Sequence, residues 1–278
     1  MRDVAPEDVV TTITAGNSWA FFDFGELRRY RDLFYFLVWR DIKVLYAQTV
    51  LGFSWAILNP LVQIVVFSVI FGRVARIETD GIPYVLFSTV AIIPWTYMSE
   101  AMNAASQSLV QGKQVLGKIY FPRVLFPLTP ILAKLVDFSI SLVILVVVMT
   151  YYQVTPTWNL LLLPLLILAM MLVPTGIGMW LAALAIRYRD IKFAMSFFIK
   201  LLIYTAPILY TASAIPEQYR FWYSFNPLVA VIEGFRASLL GTPIEWQFIV
   251  PGLVTSVLVF LSGAIYFRRM EKVFVDVI

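Results

Sequence analysis

Long apolar stretches separated by short charged segments form the main pattern of this chain. A helix needs roughly 20 apolar residues to cross the hydrocarbon layer of a bilayer, and six stretches of the sequence meet that requirement. We therefore predict an all-α integral membrane protein with six transmembrane helices. Their predicted ranges are about 53–72, 82–103, 125–149, 158–186, 193–212 and 247–267.

The third and fourth predicted spans come from one charge-free run, residues 138–186. As a single helix this run would be about 70 Å long, which is too long for one crossing. The segment YYQVTPTWN at 151–159 interrupts it with polar residues, interfacial aromatics and Pro156. We interpret this segment as a short turn at the membrane surface.

The positions of Lys and Arg predict the orientation. If the six spans are correct, 17 of these residues fall on the side of the N-terminus and only Arg73, Arg76, Arg220 and Arg236 on the other. Because cytoplasmic loops carry the excess of Lys and Arg, both termini are predicted to be cytoplasmic. The net charge of +4 is better explained by this asymmetry than by nucleic-acid binding.

Composition narrows the possible chemistry. Only 14% of the residues are charged, against about 25% in soluble domains. The absence of Cys and His excludes disulfides, thiolate nucleophiles, Cys/His metal sites and catalysis by a histidine base. We expect no metal site and no catalytic residue in this chain.

An amphipathic helix is predicted immediately before the first span. Its apolar face contains Phe34, Leu37, Val38, Ile42 and Leu45, and the opposite face contains Arg29, Asp32, Arg40 and Lys43. We interpret residues 28–46 as a helix lying in the cytoplasmic membrane interface; a simple positively charged anchor remains the alternative. The predicted divisions are a cytoplasmic segment 1–27, this helix, a transmembrane domain 47–270 and a cytoplasmic tail 271–278.

Neither a nucleotide site nor an ion-coupling site is supported. The segment GKQVLGKI at 112–119 has the spacing of a phosphate-binding loop, but Ile119 stands where a Ser or Thr would hold Mg²⁺. Lys134 and Asp137, one helical turn apart, are the only deep charged pair. They are read either as a mutually neutralising pair near the interface or as part of a polar pathway. Energy for any transport is therefore expected from a partner.

Five segments, in order, resemble the permease subunits of type-2 ABC exporters, in the branch that exports O-antigen, capsule and teichoic-acid polysaccharides. The first is RDIKVLYAQTVLGFSWAILNP at 40–60. The others are IPYVLFSTVAIIPW at 82–95, GKIYFPRVLFPL at 117–128, RYRDI at 187–191 and FNPLVAVIEGFRASLLG at 225–241. Together with six predicted spans, the resemblance covers roughly residues 27–270.

This resemblance implies a homodimeric pore in the bacterial cytoplasmic membrane, bound to two copies of a separate ABC ATPase. ATP and Mg²⁺ would bind to that partner, and the substrate would be a lipid-linked polysaccharide. It further implies a cytoplasmic coupling helix at about 105–120. The residues expected to contact the ATPase are Arg40, Lys43, Lys113, Leu116 and Lys118.

The segment 213–246 is too apolar for an ordinary loop. We predict one short helix within 215–225 and a second that is capped by Asn226, begins with Pro227 and stops at Gly241. Such helices at membrane depth are buried in protein or line a cavity, and the resemblance implies an external gate at about 215–240. The candidate gate residues are Tyr219, Trp222, Asn226, Glu233 and Arg236. Glu233 and Arg236 are expected to pair within the helix or to meet across the dimer.

Aromatic side chains are the candidates for a sugar path, because Tyr and Trp offer flat apolar faces with a polar edge. Tyr97, Tyr204 and Tyr210 are selected as pore-lining candidates; packing or an interfacial belt is the alternative role. The rival functions are a drug or lipid exporter of the same architecture, a membrane glycosyltransferase and a secondary transporter. The glycosyltransferase would need clustered acidic residues in its cytoplasmic loops. In or beside the predicted cytoplasmic loops between spans, the only acidic residues are Glu100 and Asp190.

Overall fold

The computed structural model describes residues 24–47, 52–113, 121–188 and 190–271. Within these ranges the protein is helical and contains no β-strand. The helices are α1 (Phe24–Arg29), α2 (Arg31–Tyr46), α3 (Ser54–Phe67), α4 (Tyr84–Gln111), α5 (Leu125–Tyr151), α6 (Leu163–Arg187), α7 (Ile191–Leu201), α8 (Glu217–Ser224), α9 (Pro227–Leu240) and α10 (Trp246–Glu271). A π-helical turn, Ser68–Val74, continues α3.

Four of the expected spans correspond to helices that are long and apolar enough to cross a membrane. They are α3 with its π-helical turn (Ser54–Val74), α5 (Leu125–Tyr151), α6 with the 3₁₀ turn before it (Trp158–Arg187) and α10 (Trp246–Glu271). These are the predicted first, third, fourth and sixth spans. The protein is therefore a multi-pass membrane protein.

The second expected span lies on α4, which has 28 residues but mixes Ser, Thr, Asn, Glu and Gln with its apolar side chains. α4 is the central helix of the fold: it packs against α3, α5, α6, α7 and α9, and most of its residues are buried. A helix surrounded by protein does not need a uniformly apolar surface. This explains why its sequence is more polar than those of its neighbours.

The prediction of one continuous helix over 193–212 is wrong. The α-helix ends at Leu201, and a short 3₁₀ turn, Leu202–Tyr204, leads into irregular backbone. Pro207 explains this end, because proline lacks the N–H that a helix needs and restricts the residue before it. We call residues 205–215, which include one further 3₁₀ turn at Ala212–Ala214, the irregular segment.

Packing places the two ends of α4 in different surroundings. Near its C-terminal end, Leu109 lies in an apolar cluster with Leu37 of α2, Phe126 of α5 and Phe267 of α10. Near its N-terminal end, Phe87 lies beneath Arg236 of α9. The fold therefore has an α2 end and an α8–α9 end.

Helices α6 and α10 cross at two glycines. A Cβ atom added at Gly263 would overlap the carbonyl of Gly176, and one added at Gly176 would overlap the backbone of Val259 and Phe260. The two backbones are thus in direct contact, as is typical of small residues at helix crossings in membranes.

The predicted amphipathic helix corresponds to α2, but the apolar face turns toward protein. Leu37 is buried, and Leu33 and Phe34 pack on the same apolar cluster as Phe121 and Phe126. Tyr35, Phe36 and Trp39, together with Val44, form the exposed face of the helix. Of the predicted apolar face, Leu37 is buried, Phe34, Val38 and Ile42 are half-buried, and Leu45 is 38% exposed.

Candidate functional site

A cavity in the described part of the chain lies at the α2 end, between α2, α3, α4 and α5. Its volume is about 700 Å³. Its lining is rich in amide and hydroxyl side chains, and it contains five charged residues. The polar lining residues are Arg40, Asp41, Tyr46, Asn59, Thr96, Tyr97, Glu100, Asn103, Gln107, Ser108, Gln111, Thr129, Lys134, Asp137 and Ser141. We call this the inner cavity.

Four of these residues form a connected polar cluster. Lys134 Nζ donates to Glu100 Oε2 at 2.7 Å and to Asp137 Oδ2 at 2.8 Å. The hydroxyl of Tyr46 donates to the other oxygen of the same carboxylate, Asp137 Oδ1. We call these four residues the inner cluster. It connects α2, α4 and α5 through side chains alone.

Burial makes these contacts strong. The Lys134 side chain is only 14% exposed and the Asp137 side chain 18%, so water screens their attraction weakly. Lys134 and Asp137 form the expected ion pair, with Glu100 as a second partner of Lys134, and their place in a polar pathway stays a prediction. Two carboxylates face one ammonium group, so the inner cluster has an excess of negative charge.

Tyr46 lies at the joint between α2 and α3. It is the last residue of α2, and its ring stacks on Phe53, immediately before α3, with ring centroids 3.9 Å apart. Burial and the neighbouring Asp137 carboxylate raise the pKa of Tyr46 above its ordinary value. The hydroxyl therefore stays protonated and remains a donor to Asp137.

The residues predicted to contact an ATPase divide into three groups. Arg40 lines the inner cavity and pairs with Asp41 at 2.8 Å, whereas Lys43 is exposed on α2. Lys113 is exposed and follows the end of α4 at Gln111. Leu116 and Lys118 lie outside the described residues, as does the second half of the predicted coupling helix 105–120. The first half, to Gln111, is the continuous end of α4.

At the α8–α9 end, side chains from other helices bind the carbonyl groups of the irregular segment. Tyr84 donates to Leu209 O at 3.1 Å, and Asn226 Nδ2 donates to Thr205 O at 2.8 Å. Arg220 donates to the carbonyls of both Ser213 and Ile215 at 3.0 Å; Arg236 lies 3.5 Å from Ile208 O. These bonds satisfy carbonyl groups that have no partner within a regular helix.

Arg236 is the most deeply buried charge of this end. Its residue surface is 3% exposed, its Nη1 donates to Glu233 Oε1 at 2.7 Å, and its guanidinium lies 3.6 Å from the centre of the Phe87 ring. The pairing of Glu233 and Arg236 within α9 is confirmed. A contact of this pair across a dimer stays a prediction.

The two predicted short helices are confirmed as α8 and α9. Asn226 Oδ1 accepts from Leu228 N at 3.0 Å, and Gly241 ends α9 with a left-handed φ of 67°. Tyr219 and Trp222 lie on α8 and are 57% and 73% exposed. Their assignment to a gate stays a prediction.

The three pore candidates do not form one surface. Tyr97 is buried, donates to Ile131 O at 3.1 Å and lines the inner cavity. Tyr210 donates to Tyr204 O at 3.1 Å, and Tyr223 donates to Tyr210 at 3.3 Å, at the opposite end of the fold. Tyr204 itself is 63% exposed. A role in substrate contact stays a prediction for all three.

Sequence reasoning missed the place of Tyr46 and Glu100 beside Lys134 and Asp137. Glu100 gave one available signal, because it is the only acidic residue between positions 81 and 136. Tyr46 gave none, since it lies 91 positions from Asp137 along the chain.

The fold and these sites define an all-helical membrane protein with irregular backbone at one end and a polar cavity at the other. Comparison with known families matches residues 32–240 to the ABC-2 type transporter family. The chain belongs to this family.

Similarity to characterised proteins extends over most of the chain. It is 25% identical over 251 residues to the O-antigen export system permease protein RfbA of Klebsiella pneumoniae, covering 89% of this chain and 95% of that protein. It is 27% identical over 251 residues to the RfbA protein of Myxococcus xanthus, with coverage of 89% and 96%. It is 24% identical over 246 residues to the polysialic acid transport protein KpsM of Escherichia coli, with coverage of 84% and 91%.

Proposed function

We propose that this chain is the transmembrane permease subunit of an ATP-driven exporter that moves a lipid-linked polysaccharide across the bacterial cytoplasmic membrane. The observation that carries the proposal is the near full-length similarity to proteins named for O-antigen export and polysialic acid transport. Membership of the ABC-2 type transporter family supports it.

Energy comes from a partner in this proposal. Two copies of the permease form the pore, and each binds a cytoplasmic ABC ATPase that holds ATP and Mg²⁺. The partner docks at the α2 end, where the exposed Lys43 and the end of α4 carry the residues predicted to contact it. This placement agrees with a six-span topology that has both termini in the cytoplasm, because 17 of the 21 Lys and Arg residues then lie on the cytoplasmic side.

The polysaccharide assignment also agrees with the chemistry of the inner cavity. Its amide and hydroxyl lining, including Asn59, Asn103 and Gln107, suits hydrogen bonding to sugar hydroxyl groups. Tyr97 adds an aromatic ring of the kind that packs against the C–H face of a sugar.

Deletion of the gene in its own host tests the proposal. We expect surface polysaccharide to disappear and its lipid-linked form to accumulate inside the cell, with both defects reversed by the wild-type gene on a plasmid. Deletion of the partner ATPase gene should give the same phenotype. Normal surface polysaccharide in the deletion strain, with an altered drug sensitivity or lipid profile instead, would favour a drug or lipid exporter.

A further inference from the structure

The inner cluster connects the two parts of the chain that are expected to face the ATPase. Tyr46 is the last residue of α2, the predicted interface helix. Glu100 lies on α4, whose C-terminal end at Gln111 enters the predicted coupling helix. Lys134 and Asp137 of α5 join them through three hydrogen bonds. A movement at either part therefore acts on the same set of side chains.

Among the described residues, the contact of Tyr46 with Asp137 connects α2 to this cluster. The middle of α2 is held differently, since Leu37 packs in an apolar cluster with Phe126 and Leu125. Apolar packing is non-directional and permits small sliding movements, whereas a hydrogen bond to a carboxylate is directional. The Tyr46–Asp137 contact thus fixes the C-terminal end of α2 relative to α5.

The break in the helical backbone after α2 makes the Tyr46–Asp137 contact important for transmitting movement. Ala47 has an extended backbone conformation, and Gly52 has a φ of 48° before α3 begins at Ser54. The helical backbone is therefore interrupted between α2 and α3. Because α2 also packs on α5 through apolar side chains, the side-chain contacts near this joint determine how closely the C-terminal end of α2 and α5 move together.

We infer that Tyr46 and Asp137 are positioning residues that transmit movement of α2 to the membrane-spanning core during transport. This inference rests on the proposed function. The hydroxyl of Tyr46 and the carboxylate of Asp137 make the connection, and Lys134 extends it to Glu100 of α4. The stacking of Tyr46 on Phe53 orients the ring but does not replace the connection to α5.

The Tyr46→Phe variant of the full permease–ATPase complex, reconstituted in lipid vesicles, tests the inference. It removes one oxygen atom and retains the ring on Phe53. The measured quantity is the ratio of polysaccharide transported to ATP hydrolysed, taken at a saturating polysaccharide concentration so that weaker substrate binding does not lower it. We expect ATP hydrolysis within about twofold of the wild type and a transport ratio about tenfold lower, which corresponds to loss of one hydrogen bond to a charged group.

Two further variants complete the test. Tyr35→Phe alters an exposed tyrosine of the same helix and should leave the ratio unchanged. Asp137→Leu, which removes both acceptor oxygens, should lower the ratio, and the double variant with Tyr46→Phe should lower it no further than the larger single effect, because both changes break the same contact.

The outcomes separate the inference from the proposed function. If the wild-type complex transports polysaccharide and Tyr46→Phe behaves like Tyr35→Phe, the inference is wrong and the proposed function stands. If Tyr46→Phe lowers hydrolysis and transport equally together with the thermal stability of the complex, its role is structural and the inference is also wrong. A wild-type complex that hydrolyses ATP without transporting polysaccharide overturns the proposed function and, with it, this inference.

Discussion

Replacement of Glu233 by Gln should destabilise the protein strongly, because it leaves the buried Arg236 without its counter-ion. The Arg236 side chain is 4% exposed and lies 2.7 Å from the Glu233 carboxylate. Breaking a buried ion pair by removing one partner costs about 3–5 kcal/mol. The amide oxygen of the introduced glutamine can still accept a hydrogen bond but carries no charge. The other contacts of the guanidinium are the Phe87 ring at 3.6 Å and one long hydrogen bond to Ile208 O at 3.5 Å.

These remaining contacts are too weak to compensate. A desolvated cation–π contact contributes about 2 kcal/mol, and it is already present in the wild type. We therefore expect Glu233→Gln to lower the free energy of unfolding by about 3 kcal/mol or more. The double variant Glu233→Gln with Arg236→Met should lose much less, since an uncharged methionine can pack over Phe87 without needing an ion-pair partner.

The assay is reversible denaturant unfolding of the purified permease in detergent micelles. It compares the wild type, Glu233→Gln, Arg236→Met and the double variant. Asp32→Asn provides the control, because it breaks an ion pair with Arg31 whose side chains are 73% and 92% exposed; it should change the unfolding free energy by less than about 0.5 kcal/mol. Equal effects of Glu233→Gln and Asp32→Asn would refute the reasoning. So would a double variant as unstable as the sum of the single variants.

Three further predictions concern stability at other positions. Gly176→Ala and Gly263→Ala should each lower the free energy of unfolding by about 1–3 kcal/mol or more, since the new Cβ atom would overlap backbone atoms of the other helix. An unchanged denaturation midpoint would contradict the close crossing of α6 and α10. Asn226→Ala should lower the free energy of unfolding by about 1–2 kcal/mol and speed hydrogen exchange in the first turn of α9 and in residues 205–215. Unchanged exchange would show that the Asn226 cap and its hydrogen bond to Thr205 O are dispensable. Lys134→Met should lower stability by about 3–5 kcal/mol by leaving two carboxylates without their cation, and a stable variant would contradict the charge balance of the inner cluster.

Local signals allowed the α8–α9 end to be predicted well. The side chain of Asn226 and the conformational freedom of Gly241 act on backbone within a few residues, so sequence alone locates both ends of α9. The four apolar spans were predictable for the same reason, because length and hydropathy are properties of continuous sequence.

The wrong predictions concern the helix end near Pro207 and two features that depend on how the helices pack. Apolar composition favoured one helix over 193–212, but Pro207 prevents it, and Tyr84, Asn226 and Arg236 stabilise the irregular backbone from other helices. The apolar face of α2 was expected to meet lipid but largely packs on protein. The contact of Tyr46 with Asp137 depends on how α2 and α5 pack, which no local pattern specifies.

Transport by a purified complex tests the central claim most directly. The permease and its partner ATPase would be reconstituted in vesicles with lipid-linked polysaccharide added to the ATPase side, and the polysaccharide reaching the other side would be measured with a sugar-specific lectin. The account predicts translocation that requires ATP hydrolysis and stops when the catalytic base of the ATPase is removed. Translocation without ATP, driven by a proton or sodium gradient and abolished by Asp137→Asn, would contradict it.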